Sequence, residues 1–335
     1  MGTNQNGKRF YQVKIKDLDV TNLKELGRLM GPLQRQAFRK VYGKILDLTI
    51  AGVFTEAVVS LAQYYDQPLR CFTFGDFQIV PTVEEFEEIL GCPLWGKKTV
   101  SFLRVSSLLE QDCSCGRRIG ERVGSYEANS KQRSGPTAEN TWKARQGIWQ
   151  IKMSGVPFAD ILALLIFWDL FDTFDRRCEK NSARIVNCLP ALCVWLVSHL
   201  FQQDIRHPCP LQSYHSCVVK RRVNWDQHLA GIGGSTINWF PRWKEGNEGV
   251  LFSCGDYPNV PLIGTRGCIN YNPTLAIRQL GYPMRGAPTE ESLSPFLVRD
   301  FGAQSLKVVQ RVHKAWRSPL RKDKELRGIR NGIIG

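Results

Sequence analysis

The sequence predicts a mainly α-helical globular protein with a few short strands, in one lobe or two. Three observations lead there. Residues 17–65 repeat apolar side chains at helical spacing: Leu18, Leu23 and Leu26, then Ile45 and Leu48, then Ala57, Val58, Leu61, Ala62 and Tyr65. Two later segments, Phe158–Phe174 and Arg184–Phe201, are apolar on every side, as buried helices are. Strand-like alternation is confined to short stretches.

Taken in order, residues 1–16 are expected as a flexible N-terminus and 17–110 as an N-terminal helical lobe. Pro68 interrupts the first helical run, and Cys71–Val80 alternates aromatic or β-branched residues with polar ones, the pattern of a half-buried strand. Thr82 followed by Glu85 forms a capping box at the start of a helix that carries Phe86, Ile89 and Leu90 and stops at Gly91 and Pro93. The acids Glu84, Glu85, Glu87 and Glu88 are expected on its solvated face, favoured by the helix dipole.

Residues 111–140 shift to Gly, Ser, Arg and Asn and are expected as an exposed linker or disordered insertion. Residues 141–318 form the second helical lobe, with helices over Trp142–Trp149 and the two apolar segments. A short helix follows around Val218–Ala230, then strands at Gly249–Cys254 and Val260–Ile263. Asn272 before Pro273 starts a helix through Gln279, and a final helix spans Gln304–Arg317, ended by Pro319. Residues 319–335 are expected as a basic tail.

Composition narrows the function. A chain of 335 residues with 43% hydrophobic content can bury a sizeable core, which excludes a disordered protein. Its formal net charge of +14 favours nucleic acid, acidic protein surfaces or anionic lipid as partners. The first twenty residues are polar and mixed in charge, unlike a secretory signal. The longest apolar run, Ile161–Trp168, stops at Asp169, short of the roughly 20 residues a membrane span needs, so no membrane partner is expected. Eleven scattered cysteines, an odd number, predict a reduced intracellular compartment, with Cys188 and Cys193 as small core residues.

No catalytic or cofactor constellation emerges. G-x-S-x-G, a reactive Cys with a matching His, the kinase set and a Walker loop are missing; Gly231, Gly233 and Gly234, and Gly264 to Gly267, read as turns. Asp169, Asp172 and Asp175 share one helix side and are expected as a polar stripe. His199 is expected as a hydrogen-bonded core residue. The nearest approach to a metal site is His207, Cys209, His215 and Cys217, two H-x-C pairs whose spacing is not a standard zinc knuckle, and Cys113 with Cys115 forms a lone C-x-C. No metal and no cofactor are expected.

The basic features are more coherent. Lys307, Arg311 and Lys314 fall at i, i+4 and i+7 on one helical face, and Arg317, Arg321, Lys322, Lys324, Arg327 and Arg330 continue the charge. Leu306, Val309, Val312 and Trp316 supply the opposite, docking face. A second patch interleaves Trp239, Phe240 and Trp243 with Arg242 and Lys244, the chemistry that stacks bases while neutralising phosphates. These two places are the candidate nucleic-acid or partner-binding sites.

Two stretches carry a resemblance: LAQYYDQPLRCFTFGDFQIVPTVEEFEEILGCPL over Leu61–Leu94, and Asn238–Ala287, which includes GVLFSCGDYPNVPLIGTRGCINYNPTLAIRQLGYPMRGA. Together they resemble the plant mobile domain superfamily, in particular a legume-rich, retrotransposon-associated domain of unknown function, over most of residues 30–330. The resemblance implies a mostly helical, transposon-derived domain whose better-studied relatives are nuclear. Some relatives carry an aminotransferase-like label, but no lysine here stands in a recognisable pyridoxal constellation. The chain departs from the family pattern between Phe167 and Arg184, where a longer pair of apolar helices is expected. The function expected is non-enzymatic binding of nucleic acid or a nuclear protein through a basic surface. The alternatives are a metal-dependent nuclease or transposase-like enzyme, another enzyme such as a pyridoxal one, and a degenerate remnant of a mobile-element protein.

Overall fold

A computed structural model describes residues 13–15, 21–92, 158–179, 184–185, 188–201, 209–216, 223–241, 243, 249–264, 267–283, 286–299 and 305–322. After the short strand β1 (Lys14–Ile15), the N-terminal helical periodicity resolves into α1 (Thr21–Leu29), α2 (Pro32–Tyr42), α3 (Ile45–Leu48) and α4 (Thr55–Leu61). Pro32 suits the first turn of α2, where its missing N–H has no helical partner to lose. Gly43 ends that helix at φ 60°, and a Cβ there would lie 2.3 Å from the Leu90 carbonyl oxygen, so glycine alone passes. On α4, Ala57, Val58 and Leu61 are fully buried.

The alternating segment expected as one strand is a hairpin. β2 (Tyr65–Asp66), β3 (Cys71–Thr73) and β4 (Gln78–Ile79) form an antiparallel sheet in which Phe72 faces Tyr65 on one side and Ile79 on the other. The chain reverses at Gly75 and Asp76, both exposed. α5 (Val83–Leu90) follows with its capping box formed: the Thr82 side chain accepts from the Glu85 N–H at 3.2 Å, and the Glu85 carboxylate accepts from the Thr82 N–H at 3.0 Å.

α6 (Phe158–Glu179) is followed by β5 (Arg184–Ile185), parallel to β1, and by α7 (Leu189–Leu200). Every residue of α7 but Pro190 is buried, as its all-round apolar sequence requires, and it packs on α5. Next come α8 (Pro210–Ser216) and α9 (Trp225–Ala230), the latter capped by the Asn224 side chain. β6 (Val250–Cys254), β7 (Val260–Ile263) and β8 (Cys268–Tyr271) lead to α10 (Glu290–Leu293), β9 (Leu297–Val298), α11 (Leu306–Ala315) and β10 (Pro319–Lys322). The helix expected from Asn272 is a single 3-10 turn over Pro273–Ala276, with the Asn272 side chain accepting from the Thr274 N–H at 3.0 Å.

The expectation of a mainly α fold needs correction. Helices hold 49% of the described residues and strands 16%, which makes the architecture mixed α/β. Its sheets are small: β7–β8–β9 and β2–β3–β4 have three strands, β1–β5 and β10–β6 two. The physical reason is that β9 is only two residues long, too short for period-2 patterning to show, while β8 is buried throughout and β10 does not alternate between buried and exposed residues. α11 stops at Ala315, four residues before Pro319, and Pro319 opens β10, a position in a strand where its missing N–H is tolerated. Cys254 and Pro319 pair across the β6–β10 ladder although 65 residues separate them, a contact no local pattern announces.

Two buried polar centres tie distant segments together. Glu85, fully buried, accepts from the Trp195 indole N–H at 2.9 Å and lies 2.9 Å from His199 Nε2, while the Gln279 amide donates to it at 3.3 Å. Asp175, also fully buried, accepts from the Tyr65 hydroxyl at 2.8 Å and from Arg70 Nε at 2.9 Å; Arg70 reaches on to the Asn270 side chain at 2.7 Å. These placements correct two expectations. Glu84 and Glu85 do not face solvent, and the Glu84 carboxylate accepts from the Leu251 N–H at 2.7 Å. Asp172 and Asp175, expected as part of a polar stripe, are buried and engaged by Arg176, Arg299 and Arg70. Burying a carboxylate is costly unless donors surround it, and both sites supply several.

Candidate functional site

The C-terminal basic helix is seated on the β6–β7 turn. Val309, Val312, Ala315 and Trp316 are buried, and the Trp316 indole donates to the Pro261 carbonyl at 2.6 Å. Gly255 permits the close approach: it has φ 55°, and a Cβ on it would lie 2.7 Å from Ala315 Cα. Its N–H donates to the Ser318 carbonyl at 2.8 Å, fixing the exit of the helix into β10. With that face committed to packing, the 3.6-residue period turns Lys307, Arg311 and Lys314 outward, and all three are exposed.

The charge continues through exposed Arg317 and Arg321. Lys322 behaves differently: its ammonium sits 4.1 Å from the Phe252 ring centroid and 5.6 Å from that of Tyr282, a cation–π seat on the sheet. Arg311 donates to Asp256 at 2.9 Å and lies 4.9 Å from the Tyr257 ring, so its charge is partly answered. Lys307, Lys314 and Arg317 make no side-chain hydrogen bond or ion pair among the described residues. Their arrangement does not serve helix stability. Like charges at i, i+4 repel, and Lys307 places a cation in a first turn that holds no acid, against the helix dipole.

The aromatic-basic patch is corrected for its two tryptophans. Trp239 and Trp243 are buried at 8% and 6% exposure, so neither presents a face for a base to stack on. The Trp239 indole donates to the Gly234 carbonyl at 2.9 Å, Phe77 meets it edge-on, and Arg278 covers its ring. Arg242 and Lys244 lie outside the described residues. So do His207 and Cys217; Cys209 is half-buried just before α8 and His215 is exposed at its end. No group of three or more His, Cys, Asp or Glu side chains able to hold a metal ion occurs among the described residues. Lys324, Arg327 and Arg330, the 111–140 segment and the helix expected over Trp142–Trp149 also lie outside them.

Two further observations bear on chemistry. Burial pushes the Cys188 thiol up to about 11 and those of Cys193 and Cys254 up to about 12, which keeps them protonated and unreactive. The Glu85–His199 pair, which has the composition of an acid–base dyad, is fully buried on both sides, so it acts as a structural tie. Sequence reading identified its members singly, as a capping residue and a core histidine; nothing in their spacing announces that they meet. Among the described residues no helix is long and apolar enough to cross a membrane.

Comparison with known proteins places the chain. A family described as a domain of unknown function, DUF7745, matches residues 23–168 and 165–333. The chain belongs to this family. The two matched segments of the DUF7745 domain meet inside α6. No curated protein and no solved structure matches the chain.

Proposed function

We propose that this DUF7745 domain binds nucleic acid without catalysing a reaction, holding the phosphate backbone on the face formed by α11 and β10. One observation carries the reading: Lys307, Lys314 and Arg317 stand exposed on one continuous surface with no acidic partner among the described residues. Such cations gain most from a ligand that brings closely spaced negative charge and releases counterions on binding. A transposon-derived, nuclear setting, which the resemblance to plant mobile domains implies, fits a protein that contacts DNA or RNA irrespective of sequence.

The test is fluorescence anisotropy of a labelled duplex titrated with the full chain at several salt concentrations. Three phosphate contacts predict a slope of about −3 for log K against log salt, and each Lys→Gln or Arg→Gln change at 307, 314 or 317 reduces it by about 1. Absence of binding at low salt, or a slope untouched by the triple substitution, overturns the proposal.

A further inference from the structure

The geometry points to a second binding site, a cleft for a small zwitterionic ligand with an apolar body. The cleft has a volume of ≈ 400 Å³ and is bordered by the β3–β4 turn, by Trp239, by the 3-10 turn that carries Thr274 and by Arg278 just beyond that turn. That volume lies in the range of small-molecule pockets.

Arg278 stands out among the arginines of the core. Arg70, Arg176, Arg177 and Arg299, all at least partly buried, each spend their guanidinium on a carboxylate or carbonyl. Among the described residues Arg278 makes no hydrogen bond or ion pair through its guanidinium; its Cζ sits over the Trp239 ring, 4.4 Å from the centroid. Trp239 is itself fixed, by its indole bond to Gly234 and by the edge-on contact with Phe77 at 5.7 Å. The ring contact holds the guanidinium beside the cleft while its N–H donors keep no partner among the described residues, an arrangement that suits recognition of a carboxylate.

Asp76, on the β3–β4 turn, borders the same cleft. Both of its oxygens accept from the Gly234 N–H, at 3.0 and 3.2 Å, which holds the carboxylate in place without neutralising it. Its remaining lone pairs suit a protonated amine. Phe74 and Phe77, which also line the cleft, stack at 4.6 Å and 7°, and Leu275 adds aliphatic surface. One cation and one anion bordering one partly apolar cleft match a ligand with a carboxylate, an ammonium and an apolar body. A phosphate ester, doubly negative, would meet repulsion from Asp76.

The experiment is isothermal titration calorimetry on the full chain with four probes: L-phenylalanine, 3-phenylpropanoate, 2-phenylethylamine and inorganic phosphate. L-Phenylalanine is expected to bind most tightly. Arg278→Gln should weaken it by at least about tenfold and erase its advantage over the amine, while Asp76→Asn should erase its advantage over the acid. Arg278→Lys, which keeps the charge but loses the planar fork, should lie between wild type and Arg278→Gln; circular dichroism and melting temperature verify that each variant is folded. Failure of L-phenylalanine to bind, stronger binding of phosphate or of either single-charge probe, or an affinity indifferent to folded Arg278 variants overturns the assignment.

Discussion

The Nε2 atom of His199 lies 2.9 Å from Oε1 of Glu85, and neither side chain has any exposure to solvent. The other ring nitrogen, Nδ1, lies 2.8 Å from the Asn238 carbonyl, which can only accept, so Nδ1 carries a proton. One further proton must then sit between Nε2 and the carboxylate, whichever of the two holds it. The contact binds α5 to α7, and through Asn238 and Gln279 to segments 39 and 194 residues away in sequence. Removing one member leaves the other buried without its partner. Glu85→Ala and His199→Ala are each expected to cost about 3–5 kcal/mol in urea unfolding. The double variant should cost distinctly less than the sum; simple additivity would show that the pair is not coupled.

His228 provides a pH handle on stability. It stacks on Phe201 at 4.7 Å, and burial lowers its pKa from the ordinary histidine value. The folded state therefore binds a proton less readily than the unfolded chain. Above the unfolded value of about 6.5 both forms are neutral and the group contributes no pH dependence. As pH falls through that value, the unfolded chain takes up the proton first and stability is lost. Midpoints of urea unfolding measured from neutral to mildly acidic pH should fall less steeply for His228→Phe than for wild type; an identical slope would count against this account.

Asp256 should act as a brake on the basic face. Its ion pair with Arg311 is exposed on both sides, at 58% and 61%, and surface pairs contribute little to stability, about 0–1 kcal/mol. Asp256→Asn is therefore expected to leave the melting temperature nearly unchanged while releasing Arg311 to a phosphate. Anisotropy titrations should then show tighter nucleic-acid binding and a salt slope steeper by about 1. A weaker or unchanged affinity in the folded variant would place Arg311 outside the binding face.

Gly264, the residue after β7, meets α6 at a contact that tolerates no side chain. A Cβ there would lie 1.9 Å from the Trp168 ring, whereas one on Gly52 would meet nothing within 4 Å. Gly264→Ala should destabilise the fold by about 1–3 kcal/mol or more through overpacking, and Gly52→Ala by much less. Equal thermal shifts for the two would contradict the packing described.

Much of the local structure was legible in the sequence. Thr82 and Glu85 announced a capping box because its two hydrogen bonds join residues three apart, and α7 announced its burial because it has no polar face. The outward placement of Lys307, Arg311 and Lys314 followed from helical period alone. Long-range relations were not legible. Whether Glu84 and Glu85 meet water or β6 and α7, whether Trp239 offers a face or lies under Arg278, and whether Pro319 begins a tail or an edge strand all depend on which distant segments arrive alongside.

That division has a physical basis. The sequence by itself determined helix starts and stops, the apolar faces and the position of the excess positive charge, because these arise from interactions within a turn or two of the chain. The tertiary structure decided the mixed α/β class, the partners of the buried acids and the exposure of each aromatic side chain. Those depend on pairings such as Arg70 with Asp175, 105 residues apart, where the cost of burying charge is met by donors from elsewhere in the fold.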